Sequence, residues 1–169
     1  MDNELIALDP EMLSDNVFRI INEDWMLITA GRPEKFNTMT ASWGGMGILW
    51  GRKVCFCFIR PTRYTYEIIE NSDVFTLCFF DDSYKSALEY CGSHSGRDVD
   101  KVAETGLTPV FGNDSGIYFK EARIVLKCRK LYYHDFDPGS FLDSRIEDIY
   151  PLKDYHRMYI GEIISCMKR

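Results

Sequence analysis

Four short stretches of this chain carry side chains that can do chemistry. The first is Phe36-Asn37-Thr38-Met39-Thr40-Ala41-Ser42-Trp43, dense in small and hydroxyl residues. Closely spaced hydroxyls and free backbone N–H groups can bind the polar edge of a flat heterocycle, and small side chains let it approach the backbone. The same pattern also fits a barrel strand with Thr and Ser on its wet face. The second is Arg60-Pro61-Thr62-Arg63-Tyr64-Thr65, where two arginines and two hydroxyls meet the free N–H groups of an expected helix start. That arrangement suits a phosphate, though a capped helix with solvated arginines would look alike. The third is Cys91-Gly92-Ser93-His94-Ser95-Gly96-Arg97-Asp98-Val99-Asp100-Lys101, a polar link in which Ser93, Ser95, Arg97 and Lys101 can close over an anion, while His94 alone fits a surface loop. The fourth is His156, in Asp154-Tyr155-His156-Arg157 ahead of Gly161-Glu162. It can serve as a general acid, as a contact to a nicotinamide carboxamide, or as a satisfied structural histidine.

Two familiar chemistries are excluded by spacing. The cluster Gly44-Gly45-Met46-Gly47 is followed by Trp50 where a dinucleotide fingerprint needs its third glycine, and no helix pattern follows. No Walker-type lysine motif, HExxH or Ser-His-Asp order occurs either. A pyridine nucleotide, if used, must dock without a domain of its own.

Strands must position most of these residues. Trp25–Ala30, Thr38–Trp43, Val54–Ile59 and Val74–Phe80 have strand length and β-branched or aromatic content, with breaks expected at Gly31-Arg32-Pro33, at the glycine cluster and at Gly51-Arg52-Lys53. Helices are expected after a Thr62 cap, from Ser83, and from an Asp98 cap to Gly106. Strands return at Ile117–Phe119, Arg123–Tyr133 and Tyr155–Cys166, with a short helical piece near Asp143–Ile149. Strands first, helices inserted and strands last exclude a doubly wound parallel sheet. The pattern predicts a mainly β fold, an antiparallel barrel, closed or partly closed, with appended helices.

The chain has 169 residues, a net charge of −6 and 14% aromatics. One domain spanning 1–169 is expected, with rings to spare for a planar ligand or a partner. The acidic balance argues against a nucleic-acid partner. Asp2, Glu4 and Asp9 in Met1–Pro10 do not suit a signal peptide, and no run suits a bilayer span, so a cytoplasmic protein without a membrane partner is expected. Six cysteines are too few for a disulfide scaffold; Cys55 and Cys57 share one face of a strand and are expected to be buried rather than metal-bound, so no metal site is assigned.

Taken together, Asn37–Trp43, Arg60–Thr65, Ser95–Lys101 and His156 with Gly161-Glu162 resemble the flavin reductase-like family of FMN-binding split barrels, which includes the flavoredoxins. The likeness runs from about Trp25 to Ile164. It implies a Greek-key split β-barrel homodimer with FMN near the dimer interface. By position, Thr38–Trp43 would line the flavin ring; Arg60, Arg63, Tyr64 and Thr65 would hold the phosphate or ribityl tail; Ser95, Gly96 and Lys101 would cover the phosphate end; His156 would sit near the exposed ring face. The implied activity is hydride transfer from NAD(P)H to flavin and electron delivery to an acceptor. The alternative is a flavoredoxin-like carrier that keeps FMN bound and exchanges electrons with a redox protein partner. A flavin-free binding barrel is a third reading.

Overall fold

The computed structural model describes residues 4–112 and 116–169, so Met1–Asn3 of the N-terminal stretch lie outside the described residues. The chain begins with β1 (Ile6–Leu8), a 3₁₀ turn at Pro10–Met12, and one turn of helix α1 (Val17–Arg19) that widens into a π-helical turn at Ile20–Asp24. Strands β2 (Met26–Arg32), β3 (Lys35–Ala41), β4 (Gly44–Leu49) and β5 (Arg52–Ile59) follow as two hairpins, β2 with β3 and β4 with β5. Next come helix α2 (Tyr64–Glu70), β6 (Val74–Phe79), helices α3 (Lys85–Ser93) and α4 (Lys101–Thr105), a small ribbon of β7 (Pro109–Phe111) with β8 (Ile117–Phe119), then β9 (Ile124–Asp135) and β10 (Arg157–Lys168).

The main sheet runs β3-β2-β6-β9-β10-β5-β4, all antiparallel, with β1 added to the far end of β10. It is not closed, so the closed-barrel alternative fails and the partly closed one holds. Yet its two end strands, β3 and β4, are consecutive in the chain and separated by Ser42 and Trp43 alone. Two intervening residues let the chain reach about 11 Å at most. The sheet must therefore coil until its ends nearly meet, leaving a seam at Ser42–Trp43.

Alternation explains the core. On β2, Met26, Ile28 and Ala30 face the inside of the coil with Cys55, Cys57, Phe75, Leu126 and Cys128, while Leu27 turns to the outer layer with Leu88, Cys91, Phe119 and Val125. Burial on both faces is why Trp25–Ala30 reads as an apolar run broken only by Thr29, itself buried. The six cysteines are free and buried, Cys55 and Cys57 as expected. Gly161 has a specific packing reason: a Cβ there would lie 2.6 Å from Phe75 Cζ and 2.8 Å from Cys128 Cβ.

Three expected boundaries are corrected. The glycine cluster is no turn; Gly44–Leu49 forms β4, and the chain reverses at Trp50-Gly51, both with positive φ (52° and 67°), as a tight two-residue hairpin requires. Asp98 does not cap a helix. The amides of Asp98 and Val99 are taken by the Ser95 carbonyl, and Asp100 caps α4 through the N–H groups of Val102 and Ala103. Thr62 does not cap α2 either; Arg63 occupies that position without a side-chain bond. Among the described residues no helix is long and apolar enough to cross a membrane.

Candidate functional site

The seam is where the expected residues gather. A cavity of about 220 Å³ is walled by Met39, Thr40, Ala41, Ser42 and Trp43 on one side and by Phe58, Arg60, Arg63 and His156 on the other. A neighbouring groove runs past Asn37, Thr38, Tyr64, Gly96, Arg97 and Lys101. Ser95 and Thr65 line neither space.

Among the described residues one edge of β3 has no strand partner. There Lys101 Nζ donates to the Thr38 carbonyl at 2.8 Å. Alternate residues of a strand share an edge, so the N–H and C=O of Thr40 face the same way and are open to a polar ligand. The hydroxyls behave differently. Thr38 is buried, its Oγ1 2.9 Å from Thr29 Oγ1, so its side chain does not reach the cavity as expected. Thr40 donates to the Leu88 carbonyl. Asn37 and Thr65 are spent on each other, Nδ2 donating to Oγ1 at 2.9 Å, both buried. Met39 belongs to the core and offers the cavity only its margin. Ser95 accepts from the Arg97 amide and caps a turn. The hydroxyls of Thr65, Thr38 and Ser95 thus each meet a partner within the fold, while Thr38 still borders the groove.

The cations divide sharply. Arg60 Nη1 donates to both Asp154 carboxylate oxygens, at 2.9 and 3.0 Å; its Nη2 donates to the Ile149 carbonyl and its guanidinium lies 4.9 Å from the Tyr150 ring centre. Both Nη atoms thus have partners within the fold, which leaves Arg60 less free than Arg63 to meet the expected phosphate, although it lines the cavity. Arg63 donates to the Gly92 carbonyl at 2.8 Å and has no carboxylate partner among the described residues. Burial and the neighbouring Arg60 charge hold its pKa below the usual arginine range. Lys101 is 6% exposed and spends two of its three donors on the Thr38 and Cys91 carbonyls. Burial, with Arg63 pushing the same way, brings its pKa down to about 8. Two unneutralised cations at one buried edge call for an anion.

Glycine keeps the approach open. A Cβ on Gly96 would fall 2.0 Å from Asn37 Oδ1, and one on Gly92 would press on Thr40 at 3.3 Å. Above the cavity Trp43, 42% exposed, lies 4.9 Å from the His156 ring. Burial, then the Arg60 and Arg63 charges, brings the His156 pKa down to about 4 against an opposing pull from Asp154, so the imidazole is neutral near pH 7.

A family model described as the flavin reductase like domain matches residues 18–169. The chain belongs to this family. Comparison with curated proteins gave no match. Among solved structures, this flavin reductase-like chain is similar in fold to a flavoredoxin from Methanosarcina acetivorans, with TM-score 0.69 and 20% identity over 98% of this chain and 76% of that one. It is similar also to the FMN-binding domain of a flavin reductases-like enzyme from Shewanella baltica, with TM-score 0.71 and 17% identity over 99% and 78%. An NADH:FAD oxidoreductase from Streptomyces globisporus matches with TM-score 0.67 and 14% identity over 86% and 75%.

Several residues of this flavin reductase-like site escaped the sequence reading. Phe58, Gly92, Tyr150 and Asp154 all touch the cavity or a residue that lines it. Asp154 sits two residues before His156, and a lone acid beside a motif histidine was the available signal. Tyr150 gave none, because it arrives from the excursion between β9 and β10.

Proposed function

We propose that the seam binds FMN and that the chain is an NAD(P)H-dependent flavin reductase, working as a homodimer in the cytoplasm. The observation that carries the reading is a pair of cations, half-buried Arg63 and buried Lys101, that have no carboxylate partners among the described residues beside the unpaired edge of β3. A phosphate monoester is a dianion of the right size to neutralise both, and a flat heterocycle has the donors and acceptors to complete the Thr40–Ser42 backbone. The residues therefore fit the group. Bound there, the flavin supplies hydride acceptance and electron delivery, chemistry that no side chain of this site provides. Arg63 and Lys101 would hold the phosphate, Tyr64 and Gly96 would border the tail, and Ala41 to Trp43 would flank the ring. Trp43 and Phe58 keep water from one side of it, and His156 faces the same space. A pyridine nucleotide would dock over the ring in the space that Trp43, Phe58 and His156 line.

The test is direct. Added FMN is expected to be quenched on binding, and NADH or NADPH to be oxidised at a rate that rises with FMN. No FMN uptake would remove the reading altogether. A flavin that survives desalting with only slow NAD(P)H oxidation would replace the reductase by an electron carrier serving a redox protein.

The homodimer rests on a larger cleft, where Phe18 is 86% exposed beside Trp43, and on Ile48 and Trp50, 67% and 59% exposed on the β4–β5 hairpin. Sedimentation at micromolar concentration is expected to give twice the chain mass. Phe18→Asp should shift the protein to monomer; a wild-type monomer would refute the assembly.

A further inference from the structure

The excursion between β9 and β10 returns a tyrosine to the one histidine of the cavity. Tyr150 is 2% exposed, and its hydroxyl lies 2.7 Å from His156 Nδ1. The ring is fixed on three sides: Phe141 stacks at 6.2 Å with 12° between planes, Tyr155 lies at 5.0 Å, and the Arg60 guanidinium covers it at 4.9 Å. His156 itself is 9% exposed and held against Trp43. Its other nitrogen is free. Nε2 has no partner among the described residues, and no buried polar side-chain atom there lacks one, so Nε2 opens to the space that His156 lines.

The direction of the Tyr150 bond follows from what else meets the phenol oxygen. No other hydrogen-bond partner meets it among the described residues, so for a side chain 2% exposed Nδ1 is the one acceptor within reach of the phenol proton. A buried phenol donates its proton where an acceptor stands, here Nδ1, and a neutral imidazole that accepts at Nδ1 carries its proton on Nε2.

We propose that Tyr150 is a positioning residue that locks His156 in the Nε2–H tautomer, so that the cavity presents a neutral hydrogen-bond donor and favours a second ligand with an uncharged carbonyl oxygen. The charged groups facing His156 agree: Arg60 at the end of β5 and Arg63 at the start of α2 oppose an imidazolium, and Asp154, which would favour one, is engaged bidentately by Arg60. A fixed neutral donor discriminates by the acceptor it meets. A carbonyl such as that of a carboxamide satisfies it, and an apolar substituent leaves it unpaired, which costs more than the bond is worth when made. The tautomer stands on the fold alone; the ligand class rests on the reductase reading.

The experiment separates the two. Nitrogen NMR of the wild-type protein labelled in histidine is expected to show His156 as a single neutral tautomer with its proton on Nε2 from about pH 6 to pH 8. A proton on Nδ1, or a mixture, overturns the proposal without any variant. In the FMN-loaded protein, Tyr150→Phe should raise the KM for NADH about tenfold, the scale of one directed hydrogen bond, with kcat changed less than about twofold. His156→Gln keeps a donor at similar reach; in that background Tyr150→Phe should have no further effect on KM. An undiminished effect there would mean that Tyr150 acts by another route and would refute the positioning role. If the protein takes up no FMN, the reductase reading falls while the nitrogen spectrum still decides the tautomer.

Discussion

Lys101→Met is expected to lower the affinity for FMN about a hundredfold and to leave the affinity for riboflavin nearly unchanged, the scale of a lost charge-assisted bond to a dianion. The reason is that Lys101 has a spare donor and no carboxylate partner among the described residues, and of the two ligands only FMN carries a phosphate that could meet them. The empty protein responds in the opposite sense. Its Lys101 pKa of about 8 lies below the ordinary 10.5, so below pH 8 the folded state holds a buried ammonium at a cost, and stability rises with pH between 8 and 10.5 as the folded state releases that proton first. Methionine removes the cost, so the empty variant should melt higher and lose this pH dependence. Binding the phosphate restores a reason for the charge, so wild-type FMN binding should take up a proton near pH 8 to 9 and weaken above it. Calorimetry in buffers of different ionisation enthalpy measures that uptake. Equal losses for FMN and riboflavin would show that Lys101 does not meet the phosphate.

Arg60→Met, by contrast, should destabilise the protein by about 3 kcal/mol while FMN affinity stays within about threefold. Asp154 has a side chain only 9% exposed and would lose its bidentate partner; the Ile149 carbonyl and the Tyr150 ring would lose theirs too. That figure sits at the low end for a broken buried pair because Arg60 is 28% exposed. An acid signature accompanies it. Wild-type His156 has a folded pKa of about 4 against an ordinary 6.5, so stability is lost as pH falls from 6.5 toward 4, by roughly 3 kcal/mol in all. Removing Arg60 leaves the Asp154 carboxylate as the dominant neighbour, raises that pKa and shrinks the acid loss. Urea unfolding at pH 7 and pH 5 reads both effects. A large loss of FMN affinity at unchanged stability would return Arg60 to the phosphate.

These two arginine and lysine cases show what could be read in advance. The strand runs, the antiparallel order and the motif neighbourhoods were legible, because alternation and β-branched content act locally. Residue type alone does not separate Arg60 from Arg63, three positions apart. The difference is made by Asp154, 94 residues away, and by a helix carbonyl at Gly92. Thr38 and Thr40 are equally ambiguous in sequence, and only the pairing of β3 with β2 turns the first hydroxyl onto Thr29. The glycine cluster misled for a related reason. Glycines usually mark turns, yet here the positive φ values fall on Trp50 and Gly51, and the three earlier glycines lie within a strand.

The seam at Ser42–Trp43 also bears on solubility. An open sheet has two bare edges, and each is a template on which another chain can add a strand. Here coiling brings both edges to one place, so whatever fills the seam shields a row of unpaired backbone groups on β3 as well as serving chemistry. An occupied protein is therefore the better protected one. Loss of the ligand would uncover a short β-edge beside exposed Trp43, and the empty form should be the more prone to self-association during expression and storage.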